Sequence, residues 1–579
     1  MLLAGAAAML CLPGLAKVSP SQYLQLREDG FGAAQGTIVS AAADALGNVG
    51  LEFSEGAGPL SDLVHKGRVL GDEIEALRRQ LDKAYDDRGP DAEANRQRIR
   101  DEAKAKSDEL DAIDRQLAEQ FPAYAELTRP KPLSSREVQA LLEPDEAMLL
   151  IVPGSDATYL FAVTKDKFDW ARSSLKESDM IDAVTGLRDS LTAPGVRGNV
   201  PVLHAPADAS PQISPEKPFD RKLAYRLYRE IVAPLEPLFR DKRVLFTLTT
   251  GALQSLPPAV LVTDDPQGTA DNDLAAIRAT HWLVDRYALV TLPAVSSLLT
   301  LRCYALRDPA QRHAGCPAAG RAEILAAPKA TLAFAGVGAP VLKGKPPAAA
   351  NGYTVMATRG PEGFGTYSRG EIADVEALRT RLPTLAYAEA ELKGLEREFH
   401  PDSLLLIRDH ATETEVKTNP KVSSARVLVF STHALIADEV GAIGEPGLVL
   451  TPPKVGTRED DGLLTASEVA KLHLAAEFVV LSACNTARAD GKLGADGLSG
   501  LARAFFYAGA RALLVSHWSV NDKATMELMN ATFEALKKNP QGGRAVAFQS
   551  AVEAMKQNYQ FVEPKFWAPF VLVGDTAAK

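Results

Sequence analysis

The chain has 579 residues, 46% of them hydrophobic and 24% charged, the balance of a globular protein too long for one core and long enough for roughly three domains. A formal net charge of −10 with no Lys/Arg cluster argues against a nucleic-acid partner. The four cysteines (Cys11, Cys303, Cys316, Cys484) make no disulfide framework, and neither they nor the nine scattered histidines show a metal-ligand spacing, so no metal or other cofactor is expected.

Residues 1–19 begin with an apolar, small-residue stretch in which Gly14-Leu15-Ala16 fits a leader-peptide cleavage site, although a basic n-region is missing. A leader, a mis-set start and the tail of a packing helix remain open readings. The first implies export and the others a cytoplasmic protein. Leu10 before Cys11 is not the small residue of a lipoprotein site, and no later apolar run reaches the ~18 residues of a membrane span.

Residues 20–127 are rich in Ala, Leu, Glu, Arg and Asp. Leu63, Leu70, Ile74, Leu77 and Leu81 keep an a/d rhythm that resumes after "DDRGPD" with Ile99, Ala103, Leu110, Ile113 and Leu117. This predicts an antiparallel α-helical hairpin, either a plain spacer or a surface for a regulatory protein partner. "RPKPL" (129–133) reads as a linker, and Ser134 with Glu137 has capping-box spacing.

From Ala147 the period changes. "AMLLIVP", "TYLFAVT", "RVLFTLT" and "YALVTLP" are short β-rich runs mixed with helical stretches such as 221–232, which makes 143–330 an α/β part. Residues 307–331 and 338–370, rich in Ala, Gly and Pro, read as surface insertions. Cys303 and Cys316 flank the first, bonded in an oxidising compartment and free thiols in a reducing one. "GVGAPVLKGK" (336–345) faintly resembles a phosphate loop but lacks the Gly-Lys-Ser/Thr spacing, and His410 in "RDHATE" reads as a surface loop residue.

Residues 426–484 carry the chemistry. "RVLVFSTH" reads as a buried strand ending at His433, "LTASEVAKL" as a short helix opened by Thr465 and Glu468, and "EFVVLSAC" as a second buried strand ending at Cys484. A strand–helix–strand unit makes its strands parallel, so both carboxyl ends meet at one sheet edge, where open α/β folds bind ligands. An imidazole beside a thiol is what thiol catalysis requires, because an ordinary thiol, with a pKa of ~8.5, is mostly protonated at neutral pH.

The words "STHA", "LTASEV", "VVLSACNTA", "GLARAFFYAGARALLVSHWSVND" and "FWAPFVLVGD" closely resemble the CHAT family, caspase-like domains often attached to TPR helices. The resemblance is dense over 425–575 and looser upstream, through "LPTLAYAEAELKGL" and "TTGALQSLPPAVLV". It implies a caspase-like, mostly parallel sheet flanked by helices, with 143–330 as a pseudo-caspase-like part and 370–575 as the catalytic part. It further implies a cysteine endopeptidase acting on a protein substrate through a His433–Cys484 dyad, with the backbone N–H groups of Ala434 and Cys484 as oxyanion donors and a backbone carbonyl able to orient the imidazole.

Three positions depart from the family. Ala434 stands where Gly is common, Ser482 where caspases have Gln and many arginine-specific relatives Asp, and His517 where Leu is frequent. Ser482 remains a substrate-contact candidate. Asp522 reads either as a first-turn helix charge or as an acid in a pocket for a basic substrate side chain. The competing reading of the whole chain is a catalytically silent interaction module on the same fold.

Overall fold

The computed structural model describes residues 19–38, 92–120, 132–191, 217–304, 313–316, 329–344, 372–436, 445–483 and 500–576, with single residues or short stretches at 63, 66–67, 70, 73–74, 77, 80–81, 200–202, 354–356, 367–369, 439–440 and 443. The leader-like residues 1–18 lie outside them. No helix among the described residues is long and apolar enough to cross a membrane.

Helix α1 (Pro20–Gln35) starts at Ser19, whose side chain accepts the Gln22 N–H while Gln22 reaches back to the Ser19 N–H. Its Phe31 is fully buried, with ring centroids 5.8 Å from Phe161 and 5.3 Å from Phe168. This aromatic anchor docks α1 on the sheet and separates it from the hairpin. The hairpin itself comprises the helical residues described between 63 and 81 and helix α2 (Ala92–Gln120). Leu70, Ile74, Leu77, Ile99 and Ile113 are buried along its seam. Pairs Lys66–Glu109 (2.8 Å) and Glu73–Lys106 (2.6 Å) ascend one helix while descending the other, so the helices are antiparallel.

After α3 (Ser135–Leu141), capped by Ser134 and Glu137, come strands β1 (Glu146–Pro153), β2 (Thr158–Thr164) and β3 (Phe168–Ser173). Helices α4 (Glu177–Leu191) and α5 (Arg221–Ile231) precede β4 (Val244–Thr249) and β5 (Ala288–Thr291). The second block holds β6 (Leu332–Gly338), α6 (Val375–Arg381), α7 (Ala388–Phe399), β7 (Ser403–Ile407), α8 (Glu413–Thr418) and β8 (Ala425–Ser431). Then follow β9 (Ala434–Leu435), β10 (Gly447–Val449), β11 (Leu463–Thr465), α9 (Ala466–Val469) and β12 (Phe478–Ser482). Last come α10 (Gly500–Tyr507), β13 (Ala512–Ser516), α11 (Asp522–Lys538), α12 (Gly543–Gln557) and β14 (Phe570–Gly574).

Eleven strands form one sheet in the order β7-β6-β8-β12-β13-β14-β5-β4-β1-β2-β3. From β7 to β13 all neighbours are parallel, and so are those from β14 to β1. The two blocks meet at the antiparallel pair β13–β14 and therefore run in opposite directions. Strands β8, β12, β13 and β14 are buried almost throughout, as expected of apolar runs covered by helices on both faces. The fold is thus the expected mostly parallel α/β sheet flanked by helices and preceded by a helical hairpin.

Two features differ from the sequence expectation. The β8–β12 crossover is more than a helix, since β9, β10 and β11 pair antiparallel into a small separate sheet before the single turn of α9. And the "GVGAPVLKGK" stretch contains the end of β6, where a Cβ at Gly338 would lie 2.0 Å from the Ser431 carbonyl oxygen. That glycine permits close approach of backbones. Cys303 and Cys316 are joined by a disulfide.

Candidate active site

Strands β8 and β12 are adjacent and parallel, in register from Val427 opposite Phe478 to Ser431 opposite Ser482. His433 follows Ser431 by two residues, as Cys484 follows Ser482. Cys484 and residues up to 499 lie outside the described residues. The residue before Cys484, Ala483, is fully buried, and its carbonyl accepts the Ser516 hydroxyl at 2.6 Å. This cross-strand bond ties the end of β12 to the end of β13.

His433 is fully buried, with Nε2 2.8 Å from the carbonyl oxygen of Pro383. A carbonyl only accepts, so Nε2 carries the proton and Nδ1 is the basic nitrogen of the neutral ring. Ala434 pairs with Leu448 in the small sheet, and the Val449 N–H donates to the His433 carbonyl at 2.9 Å. Because antiparallel hydrogen bonds alternate, this bond turns the Ala434 N–H away from β10. The positive-φ non-glycine residues among those described are Gln267, Ala339 and Arg408, so Ala434 takes up its backbone conformation without strain.

Ser431 and Ser482, both buried, stand side by side at the two strand ends, and the Ser431 hydroxyl donates to Glu391 on α7 at 3.2 Å. Asp522 opens α11 and is 1% exposed, and its Oδ2 accepts the Tyr387 N–H at 2.9 Å. It thus has a backbone partner in the protein itself. Asn521 supplies the cap of α11, accepting the Ala524 N–H at 2.9 Å.

His517 is buried just beyond β13, its N–H donating to the Pro569 carbonyl. Burial, with a smaller contribution from Arg188, pushes its imidazole down to about 3, so it is neutral at physiological pH. His410 closes an exposed turn, as expected.

The crossover is held from outside by Glu413, which accepts the Asp461 and Gly462 N–H groups and pairs with Lys417 at 2.7 Å. Burial, helped by the charges of Glu468 and Asp461, pushes the Glu413 carboxyl up to about 7. Lys417 is half-buried, which lowers its ammonium, but its hydrogen bonds to Glu413 and Glu468 outweigh that and raise it.

Two site residues escaped sequence reading. Pro383 contributes only a carbonyl, which every residue possesses, so no residue-type signal could mark it. Glu391 sits in a helix with several other acids, and only the fold singles it out as the buried one beside Ser431.

Residues 221–575 match the CHAT domain. Tetratricopeptide repeat protein 28 from Mus musculus is 34% identical over 112 residues, covering 19% of this chain and 4% of that protein. Its Homo sapiens counterpart is 30% identical over 163 residues, covering 26% of this chain and 6% of that protein. The chain therefore spans less than a tenth of the length of these relatives.

Among solved structures, the Arg-specific cysteine proteinase gingipain R aligns over 75% of this chain and 78% of its own, with 10% identity and a TM-score of 0.32. The Saccharomyces cerevisiae separase in its complex with securin aligns over 79% of this chain and 31% of its own, with 10% identity and a TM-score of 0.37. With more than half of its length matched, the chain belongs to the CHAT domain family.

Proposed function

We propose that the chain is a caspase-like cysteine endopeptidase that cleaves a protein substrate with Cys484 as nucleophile and His433 as its acid–base partner. The observation that carries this reading is the hydrogen bond from the His433 Nε2–H to the Pro383 carbonyl. It leaves Nδ1 as the basic nitrogen of the neutral ring, at the end of a strand parallel to the one leading into Cys484. A backbone carbonyl suffices to orient the ring, so no third acid is required.

In the reaction, the Cys484 thiolate forms a bond to the scissile carbonyl carbon, and the carbonyl electron pair moves onto oxygen. Backbone N–H groups of Ala434 and Cys484 stabilise that oxyanion, where one donor is worth roughly 3 kcal/mol in well-studied enzymes. Collapse of the intermediate expels the amine, which takes from His433 Nδ1 the proton that the Cys484 thiol gave up on becoming a thiolate. Water then attacks the thioester, losing its proton to His433, and the acid departs as the thiol is restored.

The test is labelling of the full chain with an electrophilic peptide probe, alongside cleavage of whole-proteome substrates. Cys484→Ala should abolish both without unfolding the protein. His433→Ala should label slowly at neutral pH and recover as the pH approaches ~8.5, the ordinary thiol value. If Cys484 stays unlabelled at neutral pH in the wild type while other sites react, the silent interaction module is the correct reading instead.

A further inference from the structure

The carbonyl that meets His433 lies on the link between α6 and α7, and no regular element runs through that link. It is held by contacts from elsewhere. The Lys343 N–H donates to Arg379 O (2.6 Å), the Gly344 N–H to Leu382 O (3.0 Å), and the Thr384 hydroxyl to Leu342 O (2.9 Å). All three tie residues 342–344 to the last turn of α6 and the first half of the link. At its other end the holding group is Asp522, 135 residues away in sequence, whose carboxylate accepts the Tyr387 N–H at 2.9 Å.

Tyr387 is the N-cap residue of α7, and its own side chain makes no capping bond. Asp522, from a second helix, takes the N–H of the Tyr387 backbone itself. Its charge lies at the N-termini of both α7 and α11, where the helix dipoles favour an anion. Being 1% exposed, the carboxylate is also fixed in place by packing.

We infer that Asp522 is a positioning residue. Through the Tyr387 N–H it fixes the 383–387 link, and through the Pro383 carbonyl it sets the orientation and tautomer of His433. It does not read a basic substrate side chain. The consequence for Cys484 rests on the peptidase reading, whereas the consequence for His433 does not.

Two measurements on the full chain separate these. Histidine labelled with nitrogen-15 in the ring reports the bonded Nε2–H of His433 by NMR. Iodoacetamide alkylation of Cys484, followed by peptide mass mapping from about pH 6 to about pH 9, reports the thiolate that His433 sustains. Asp522→Ala should lose the Nε2–H signal, slow alkylation at neutral pH roughly tenfold, and move its midpoint toward ~8.5. A wild-type signal with a wild-type alkylation profile in that variant overturns the inference.

Asp522→Asn, which keeps an acceptor but not the charge, decides the matter if the alanine variant does not fold. Its relative labelling by arginyl and leucyl chloromethyl ketone peptides, in which the sulfur displaces chloride, should match the wild type. A selective loss of the arginyl probe would show that Asp522 reads a basic side chain and would overturn the inference. Should wild-type Cys484 alkylate with an ordinary thiol midpoint, the peptidase reading fails, and the His433 signal alone decides the role of Asp522.

Discussion

His517 is a base that the fold keeps uncharged, and this gives the protein a predictable weakness to acid. Its folded pKa is pushed from 6.5 down to about 3, so between those values the unfolded chain binds a proton that the folded chain refuses. Stability therefore falls as the pH drops from 6.5 toward 3, by up to about 1.4 kcal/mol per pH unit from this residue. Replacing it by leucine, similar in size and apolar, should flatten the acid limb of a urea-midpoint-versus-pH profile and leave the profile near pH 8 in place. An unchanged acid limb in His517→Leu would mean that other groups govern acid unfolding. At this scale the sequence was partly transparent. The position of His433 just past a strand end was legible, because a β-rich run ends abruptly in polar residues there; the same signal marks Cys484, which lies outside the described residues. The acid at 522 was equally visible, but its partner is a backbone N–H 135 residues away, and only the folded chain brings them together.

At the scale of elements, the strands that were readable are those with long uninterrupted apolar runs, such as β1 and β8, which are buried on both faces. Strand β3, "FDWARS", alternates weakly on the sheet edge, and β6, "LAFAGVG", is diluted by glycine, so neither carried a clear period. The small sheet of β9, β10 and β11 has strands of two or three residues, below the length at which any period is defined. One loop glycine now acquires a function. A Cβ at Gly344 would lie 2.3 Å from the Leu382 carbonyl oxygen, a backbone atom that can yield only by moving the link that carries Pro383. Gly344→Ala should therefore cost a modest 1–3 kcal/mol or so, as overpacking does, yet slow probe labelling of Cys484 at least tenfold. Parallel melting and labelling series check the split. Equal losses in both would show that the link is merely structural.

At the scale of the molecule, the sequence divides into an early and a late α/β part, yet the structure has one sheet running through both. Strand β14, at the chain's end, pairs with β13 on one side and with β5 of the early block on the other. The seam beside it is apolar and closed. Trp282 and Trp567, both fully buried, meet edge to face with ring centroids 5.3 Å apart. Polar ties reinforce it: Gln549 donates to the Val284 carbonyl at 2.7 Å, the Lys556 ammonium pairs with Asp285, and Arg511 bonds the Leu301 carbonyl at 2.8 Å. Residues 331–575 expressed alone, which keep β6, would expose the β14 edge and half of the tryptophan pair, the kind of unprotected hydrophobic edge that drives aggregation. That fragment should be insoluble, or should bind a hydrophobic dye without near-ultraviolet circular dichroism, and co-expression with residues 132–330 should restore a soluble complex that reacts at Cys484. A soluble, monomeric fragment with native near-ultraviolet signals would show instead that the late block folds by itself and that the shared sheet is a docking of two independent units.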